Sequence, residues 1–235
     1  MDSSSILFSA LRLKKEVSCY SFQVENRPTL DTAKAEQICK KYNLKFTLVE
    51  VPTKNIKKDF KKLAKKYKCK KKTEFECTFP LLYTLPKIKE KYILSGVNAD
   101  SYYGLDKTSM MHHISNKKDF DASRTKKYGK LGRGAFYQLK QICEEYNKIL
   151  CAPYRCREAY DYFMQFDWSD IHKPRQKSLI RKRYPELYGL KIKPHANYQL
   201  VAGIDKDFEK LLDNPEINYK KRTRVMDMCR DWAQK

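Results

Sequence analysis

Helical and β-strand patterns alternate along the first hundred residues of this chain of 235 residues. Apolar residues recur at helical spacing in three segments, and a proline begins a fourth helical segment: 3–13, 30–42, 56–67 and 80–89. Short runs rich in β-forming residues separate these segments, at 17–24, 45–51 and 92–95. Such alternation predicts an α/β fold, in which a parallel sheet is flanked by crossover helices.

The pattern changes at about residue 131, after which helical periodicity dominates. Helices are predicted there over 136–146, 155–166, 177–183, 208–212 and 217–232. Residues 105–130 hold many lysine, serine, aspartate and histidine residues and few apolar ones, which predicts a mobile loop. We therefore expect an α/β region over 1–130 and a mainly helical region over 131–235, both belonging to one domain.

The charge of the chain points to anionic ligands. Its formal net charge of +22 attracts nucleotides, pyrophosphate or nucleic acid. The lysines are scattered, however, and no run interleaves them with aromatic residues as a nucleic-acid platform would. The densest cluster, between Lys57 and Lys72, is expected to be an exposed helix face followed by a loop. Solvated helix faces are the simpler interpretation, so a nucleic-acid partner is kept only as an alternative.

Two further features indicate a soluble, cytoplasmic protein. No apolar run approaches the roughly 18–20 residues that cross a bilayer, and Asp2 stands where a signal peptide would carry a basic residue. None of the eight cysteines forms a C-x-x-C pair, so neither a zinc knuckle nor a thioredoxin-like site is indicated. Reduced thiols suit the cytosol, and no membrane partner is expected.

Two short segments carry residues that suit a phosphate ligand. Asp2, Ser3 and Ser4 open a predicted helix, whose first N–H groups can bind phosphate while the acid holds Mg²⁺. The segment from Ser95 to Asp100 follows a predicted strand, which is where ligands bind in open α/β sheets. A disordered start and an ordinary helix cap are the plain structural alternatives.

A third segment, Lys173 to Arg181, places Lys177 at the start of a predicted helix, from which its ammonium could reach a leaving pyrophosphate. A solvated basic face is the structural alternative for this segment.

Taken together, the three segments resemble the synthetase domain of asparagine synthetases, in the N-type ATP pyrophosphatase (PP-loop) family. The resemblance covers roughly residues 1–200. That family carries a Ser-Gly-Gly-x-Asp-Ser loop, of which Met1-Asp2-Ser3 matches the second half, followed by a strand and a helix with an early Asp. Its Leu-Ser-Gly-x-Gly-x-Asp-Glu motif is matched by Leu94 to Ser101. Its Pro-Phe-x-Asp stretch and Lys-x-x-Leu-Arg helix are matched loosely by Pro153-Tyr154-Arg155 and Lys177-Ser178-Leu179-Ile180-Arg181.

The resemblance implies a Rossmann-like fold of the adenine-nucleotide alpha-hydrolase type, with nucleotide binding in the region 1–130. It implies the cofactors ATP and Mg²⁺, with the metal on Asp2 and Asp100 and with Lys177 as the catalytic residue. The implied nucleotide contacts are Ser3, Ser4, Ser95 and Gly96 at the phosphates and Tyr20 and Phe22 beside the adenine. In the family reaction a carboxylate substrate is adenylated, pyrophosphate leaves, and ammonia or an amine displaces AMP.

The match also departs from the family pattern. Val97, Asn98, Ser101 and Cys156 stand where the family carries an acid or tyrosine, a glycine, a glutamate and an aspartate. The first half of the family loop and the strand before it would lie upstream of Met1, so the resemblance predicts that Met1 is not the ancestral start. A separate glutaminase or N-terminal segment is an expected partner.

Two alternatives stay open: a PP-loop enzyme that modifies tRNA, and a non-catalytic remnant that binds nucleotide or nucleic acid. The leading interpretation makes a geometric prediction. Asp2 and Asp100 should approach each other at one end of the sheet, and Lys177 should face the same crevice.

Overall fold

The computed structural model describes residues 2–105, 116–128 and 135–187, together with 203, 204, 206, 207 and 210. These residues form helices and parallel strands, so the mixed α/β class expected from the sequence is confirmed. The helices up to residue 103 are α1 (Asp2–Arg12), α2 (Leu30–Lys41), α3 (Ile56–Tyr67), α4 (Lys72–Thr78), α5 (Leu81–Thr84) and α6 (Ala99–Tyr103). Those that follow are α7 (Lys117–Tyr128), α8 (Phe136–Glu145), α9 (Arg157–Met164), α10 (Trp168–His172) and α11 (Ser178–Arg183). Single 3₁₀ turns cover Leu85–Lys87, Pro153–Arg155 and Pro185–Leu187.

The strands form two separate parallel pairs. Strand β1 (Ser18–Val24) pairs with β2 (Lys45–Val51), and the register runs from Ser18 opposite Lys45 to Val24 opposite Val51. Strand β3 (Tyr92–Leu94) pairs with β4 (Ile149–Cys151). The sequence predicted the first three strands but not β4, because three residues between two helices are too few to show a β period.

The described residues divide into two compact units. The first draws on the ranges Met1–Val17, Tyr92–Phe136 and Ile149–Lys191, and it contains the β3–β4 pair. The second draws on Ser18–Lys91, Tyr137–Lys148 and Ile192–Lys235, and it contains the β1–β2 pair. Each unit is therefore assembled from stretches that are distant in sequence, and the expected division at residue 130 stays a prediction.

A cluster of aromatic and aliphatic side chains forms the core of the first unit. Its buried members are Ile6, Ala99, Tyr102, Tyr103, Phe120, Tyr154, Phe163, Ile171 and Ile180. They come from α1, α6, α7, α9, α10, α11 and the turn after β4, so burial of this cluster holds the start of α1 close to the end of β3.

The mobile loop predicted over 105–130 is wrong for residues 117–128, which form α7. Arg124 explains the error, because this helix buries a charged side chain that the apolar pattern cannot reveal. The guanidinium donates to the main-chain carbonyls of Phe163 at 2.5 Å and Phe166 at 2.9 Å, and it pairs with Asp121. Its Cζ atom lies 4.0 Å from the centre of the Phe120 ring. These hydrogen bonds thus offset the free-energy cost of burying the Arg124 guanidinium.

The other expected elements agree with the structure to within about two residues, except that the helix expected over 80–89 is shortened to α5 and one 3₁₀ turn. The helices predicted over 208–212 and 217–232 lie mostly or wholly outside the described residues. Among the helices that the structure describes, none is both long and apolar enough to cross a bilayer.

Candidate functional site

Lys177 joins the two carboxylates that the sequence singled out. Its Nζ atom lies 2.6 Å from Oδ1 of Asp2 and 2.7 Å from Oδ1 of Asp100. Both carboxylate oxygens therefore contact one ammonium and lie no farther apart than about twice its hydrogen-bond distance. The geometric prediction for these three residues is confirmed, although 175 positions separate Asp2 from Lys177.

The three side chains differ in exposure. The side chain of Lys177 is 11% exposed, that of Asp2 is 26% exposed, and that of Asp100 is 58% exposed. The Lys177 side chain is therefore nearly buried, while the Asp100 carboxylate is open to solvent. Of the three groups, Asp100 is the most accessible to a ligand from solution.

An unusual backbone conformation places Lys177. It precedes α11 with φ 59° and ψ 33°, in the left-handed region that costs most side chains energy. Its backbone N–H donates to Nδ1 of His172 at 3.1 Å. The other ring nitrogen, Nε2, lies 2.5 Å from the carbonyl oxygen of Tyr103. A carbonyl only accepts, so Nε2 carries the proton, and Nδ1 is left as the acceptor for Lys177. The buried imidazole thus fixes the backbone from which the lysine projects.

An aromatic ring packs against the Lys177 ammonium, and its hydroxyl begins a chain of hydrogen bonds. The Nζ atom of Lys177 lies 4.8 Å from the centre of the Tyr103 ring, a cation–π distance. The Tyr103 hydroxyl bonds that of Tyr154, which in turn lies 2.6 Å from Oγ of Ser5. Burial raises the pKa of Tyr103, and nearby Asp2 adds to the increase, so this phenol stays neutral. Ser5 completes the chain by donating to the carbonyl of Asp2 at 2.8 Å.

Gly96 brings the loop after β3 against the start of α1. A Cβ atom at this position would lie 2.8 Å from the carbonyl carbon of Asp2 and 2.8 Å from the amide nitrogen of Ser3. Those distances are shorter than any that real side chains tolerate. The lack of a side chain at Gly96 therefore permits a close backbone approach, and the approaching backbone is that of Asp2 and Ser3.

The remainder of this loop is tied down by hydrogen bonds. The Ser95 N–H donates to the carbonyl of Cys151 at 2.9 Å, which extends the β3–β4 pairing. The Ser95 hydroxyl accepts from the Val97 N–H at 3.3 Å. Asn98 precedes α6 in a left-handed conformation, and Arg155 donates to its side chain at 3.4 Å. Asp100 then lies in the first turn of α6.

Ser3 and Ser4 lie in the first turn of α1, where Ser3 is exposed and Ser4 is partly exposed. The first backbone N–H groups of a helix have no partner within it, and they bind anions readily. Together with Asp2, these N–H groups place hydrogen-bond donors and one carboxylate at the same end of α1. Their contact with a phosphate stays a prediction.

Tyr20 and Phe22 belong to β1, in the second unit, whereas the other candidate residues belong to the first. The Tyr20 hydroxyl donates to Oε2 of Glu90 at 2.7 Å. Hydrogen bonds from Ser18 and then from Tyr20 lower the pKa of Glu90 to about 2. A position for Tyr20 and Phe22 beside an adenine stays a prediction.

The donor set of Asp2 and Asp100 suits Mg²⁺, a hard cation that proteins bind through one or two carboxylates together with substrate phosphates. Both carboxylates already lie beside one cation, the ammonium of Lys177. No group of three or more potential metal-binding side chains occurs within the described ranges. A Mg²⁺ ion on these two carboxylates, completed by oxygens of a bound phosphate, stays a prediction.

Sequence reasoning missed His172 and Tyr103, which position Lys177 without belonging to any motif. Tyr154 was noted only as the counterpart of a family phenylalanine, yet its hydroxyl joins Tyr103 to Ser5. No periodicity could reveal these contacts, because each depends on side chains that are brought together from distant parts of the chain.

No protein-family model matches this sequence, and no curated protein matches it. The assignment of this site therefore depends on its residues and their geometry.

Proposed function

We propose that this chain is an asparagine synthase-like, ATP-dependent ligase that forms an amide bond. In the proposed reaction an oxygen of a small-molecule carboxylate attacks the α-phosphorus of ATP, and the bond to the β-phosphate breaks, which releases pyrophosphate. Ammonia or an amine then attacks the carbonyl carbon of the acyl-adenylate, loses a proton and displaces AMP. We propose for the fold the same Rossmann-like, adenine-nucleotide alpha-hydrolase type, and for the protein a cytoplasmic location.

The convergence of Asp2, Asp100 and Lys177 carries this proposal. The resemblance selected these residues from three distant segments, and one oxygen of each carboxylate lies within 2.7 Å of the Lys177 ammonium nitrogen. Unrelated surface charges would not be expected to meet in this way. The convergence also occurs where α/β folds bind ligands, at the end of β3 and the start of α1.

Each residue has a defined task in the proposed site. The N–H groups and hydroxyls of Ser3 and Ser4 bind phosphate oxygens, assisted by the positive end of the α1 dipole. Asp2 and Asp100 would hold Mg²⁺, which neutralises phosphate charge when it is bound. Lys177 places a fixed positive charge where pyrophosphate leaves. Gly96 keeps the backbone of the β3 loop close enough to α1 for these groups to act on one ligand.

The cysteines support a reducing compartment. None of the seven described cysteines forms a disulfide: Cys19, Cys39, Cys69, Cys77, Cys143, Cys151 and Cys156. Unpaired thiols are the usual state in the cytosol.

The direct test has two measurements. Mg-ATP binding is measured by calorimetry, and pyrophosphate release is measured with ATP and a panel of amino-acid and other small carboxylates, in the presence of ammonium. We expect binding and carboxylate-dependent release, with AMP formed in equal amount. Asp100→Asn should weaken Mg-ATP binding, whereas Lys118→Ala, which removes an exposed lysine of α7, should not.

The outcomes separate the alternatives. Mg-ATP binding that depends on Asp100, without pyrophosphate release for any carboxylate, would indicate a nucleotide-binding protein that no longer catalyses. Lys177 already pairs with both carboxylates, which is the observation that favours this second candidate. If neither Mg-ATP nor Mg-AMP binds, and Asp100→Asn changes only the stability, the three charges are structural and the proposal is wrong.

A further inference from the structure

The second unit carries a dense band of positive charge. Between Lys54 and Lys72 the chain has eleven lysines and one acid, Asp59. The apolar residues of α3, which runs through this segment, are all buried: Ile56, Phe60, Leu63, Ala64 and Tyr67. The opposite face is left to lysine. We call the exposed lysines Lys54, Lys57, Lys58, Lys61, Lys65 and Lys68 the α3 basic surface.

Most of this charge is not neutralised. The Asp59 carboxylate accepts a hydrogen bond from the Tyr83 hydroxyl at 2.5 Å. Glu145 pairs with Lys66 at 2.8 Å and more weakly with Lys62 at 3.9 Å, at the edge of the band. Within the part of the chain that the structure describes, Lys57, Lys61 and Lys65 have no carboxylate partner. Their ammonium groups are therefore available to an anion from solution.

The spacing of these lysines suits a linear polyanion. Lys57, Lys61 and Lys65 recur every four residues along one stripe of α3, which is about 6 Å per step at 1.5 Å per residue. The twelve residues of α3 span about 18 Å, a length over which one nucleic-acid strand carries about five phosphates. Two or three lysines would suffice for a single phosphate, whereas a row of this length fits a chain of phosphates.

Two other classes of partner fit less well. A helix that binds a membrane surface inserts an apolar face, and the apolar face of α3 is buried in its own unit. A protein interface has aromatic or aliphatic residues at its centre and is depleted in lysine. The α3 basic surface has no exposed side chain of that kind among its own residues, where Ile56, Phe60, Leu63 and Tyr67 all point inward.

We infer that the α3 basic surface binds the phosphodiester backbone of a nucleic acid without reading its sequence. This inference does not depend on the proposed ligase activity, because every residue that carries it belongs to the second unit. It assigns a role to part of the +22 charge that the proposed nucleotide site does not use.

The test compares two triple variants of the full chain that change the net charge equally. In the first, Lys57, Lys61 and Lys65 are replaced by glutamate. In the second, the exposed lysines Lys15, Lys118 and Lys126 of the first unit are replaced by glutamate. Binding to fluorescent 20-nucleotide RNA and DNA, single-stranded and duplex, is measured by anisotropy over a range of salt concentrations.

We expect the unmodified chain to bind with an affinity that falls steeply with salt, by about 0.7–0.9 logarithmic units per phosphate neutralised for each tenfold increase in salt. The α3 triple variant should lose at least about tenfold in affinity and should show a shallower salt slope, while the control triple should change by less than about threefold. The RNA and DNA probes show which nucleic acid is preferred. Circular dichroism checks that both variants are folded.

Equal losses in the two variants would mean that binding follows net charge alone, and the assignment to α3 would be overturned. The same conclusion would follow if none of the nucleic acids bound. Vesicles that contain phosphatidylserine provide the remaining arm. Binding to these vesicles but not to nucleic acid would assign the surface to membranes instead.

Discussion

Nδ1 of His172 accepts the backbone N–H of Lys177 at 3.1 Å, and this bond holds the lysine in its left-handed conformation. The same ring donates from Nε2 to the carbonyl of Tyr103. One buried side chain therefore links the residue before α11 with the last residue of α6. His172 thus positions Lys177 through its backbone N–H.

Replacing His172 by alanine should lower the free energy of unfolding by about 1–3 kcal/mol, because a buried N–H and a buried carbonyl lose their partners. It should also weaken Mg-nucleotide binding, since Lys177 loses its anchor. His172→Asn is the matched variant, because its side-chain oxygen can replace Nδ1 as the acceptor. Chemical denaturation and calorimetry measure both effects. Equal nucleotide affinities for the alanine variant and the unmodified chain would remove His172 from this role.

Gly96 can be tested by adding a single methyl group. In Gly96→Ala the new Cβ would lie 2.8 Å from the backbone of Asp2 and Ser3, so the start of α1 must move. We expect a loss of about 1–3 kcal/mol of stability and a larger loss of Mg-nucleotide affinity than this destabilisation explains. Gly203→Ala is the control. Gly203 has φ +68° in the second unit, where the added Cβ would meet the flexible side chain of Arg27.

Comparing the two variants separates the effect of backbone strain at a glycine from the effect of moving the start of α1. Gly203→Ala should also reduce stability, because a left-handed backbone disfavours a Cβ, but it should leave nucleotide affinity unchanged. If Gly96→Ala binds Mg-nucleotide as well as the control does, the close approach of the loop to α1 has no role in ligand binding.

Local sequence rules predicted most elements of this fold, because α3 and β2 each carry a clear period of their own. They did not predict the short helices α4, α6 and α10. They also did not predict α7, whose face contains the buried Arg124, or β4, which has three residues. The residues of the candidate site also fall into those that the sequence predicted and those that it did not. Asp2, Asp100 and Lys177 could be named from motifs, whereas His172 and Tyr103 act through main-chain contacts that appear only once the chain has folded.

The shared ammonium makes a prediction about metal binding. In Lys177→Met the aliphatic stem still covers the Tyr103 ring, but Asp2 and Asp100 lose the cation between them. We expect this variant in EDTA to be less stable by about 1–3 kcal/mol, which is roughly 2–4 °C in Tm for each kcal/mol in a chain of this size. Added Mg²⁺ should recover part of the loss, because a divalent cation can take the place of the ammonium.

Thermal unfolding with EDTA and with Mg²⁺ measures this response, and Mn²⁺ binding followed by electron paramagnetic resonance measures the metal directly. The unmodified chain should respond less to Mg²⁺, since Lys177 competes for the same oxygens. Adding Asp100→Asn to Lys177→Met should abolish the response. A variant with Lys177→Met that takes up no divalent cation would remove the metal role from these two aspartates.

The last prediction concerns the pH dependence of the second unit, through Tyr20 and Glu90. Hydrogen bonds from Ser18 and Tyr20 favour the charged carboxylate and lower the pKa of Glu90 from 4.5 to about 2. A group whose pKa is lower in the folded state stabilises the fold above its unfolded pKa. That contribution is lost as the pH falls from about 4.5 to about 2. Tyr20→Phe removes one donor, so it should be less stable than the unmodified chain at pH 6. This difference in stability should shrink as the pH falls from about 4.5 to about 2.

Urea unfolding at several pH values and an NMR titration of the Glu90 carboxyl provide the measurements. Tyr92→Phe is the control, because Tyr92 is an exposed tyrosine of the first unit. A stability difference that stays constant from pH 6 to pH 3 would contradict the coupling.

The same variant also tests whether Tyr20 lies beside the adenine, because phenylalanine keeps the aromatic ring. If Tyr20 lies there, Tyr20→Phe should bind ATP normally, while Tyr20→Ala should not.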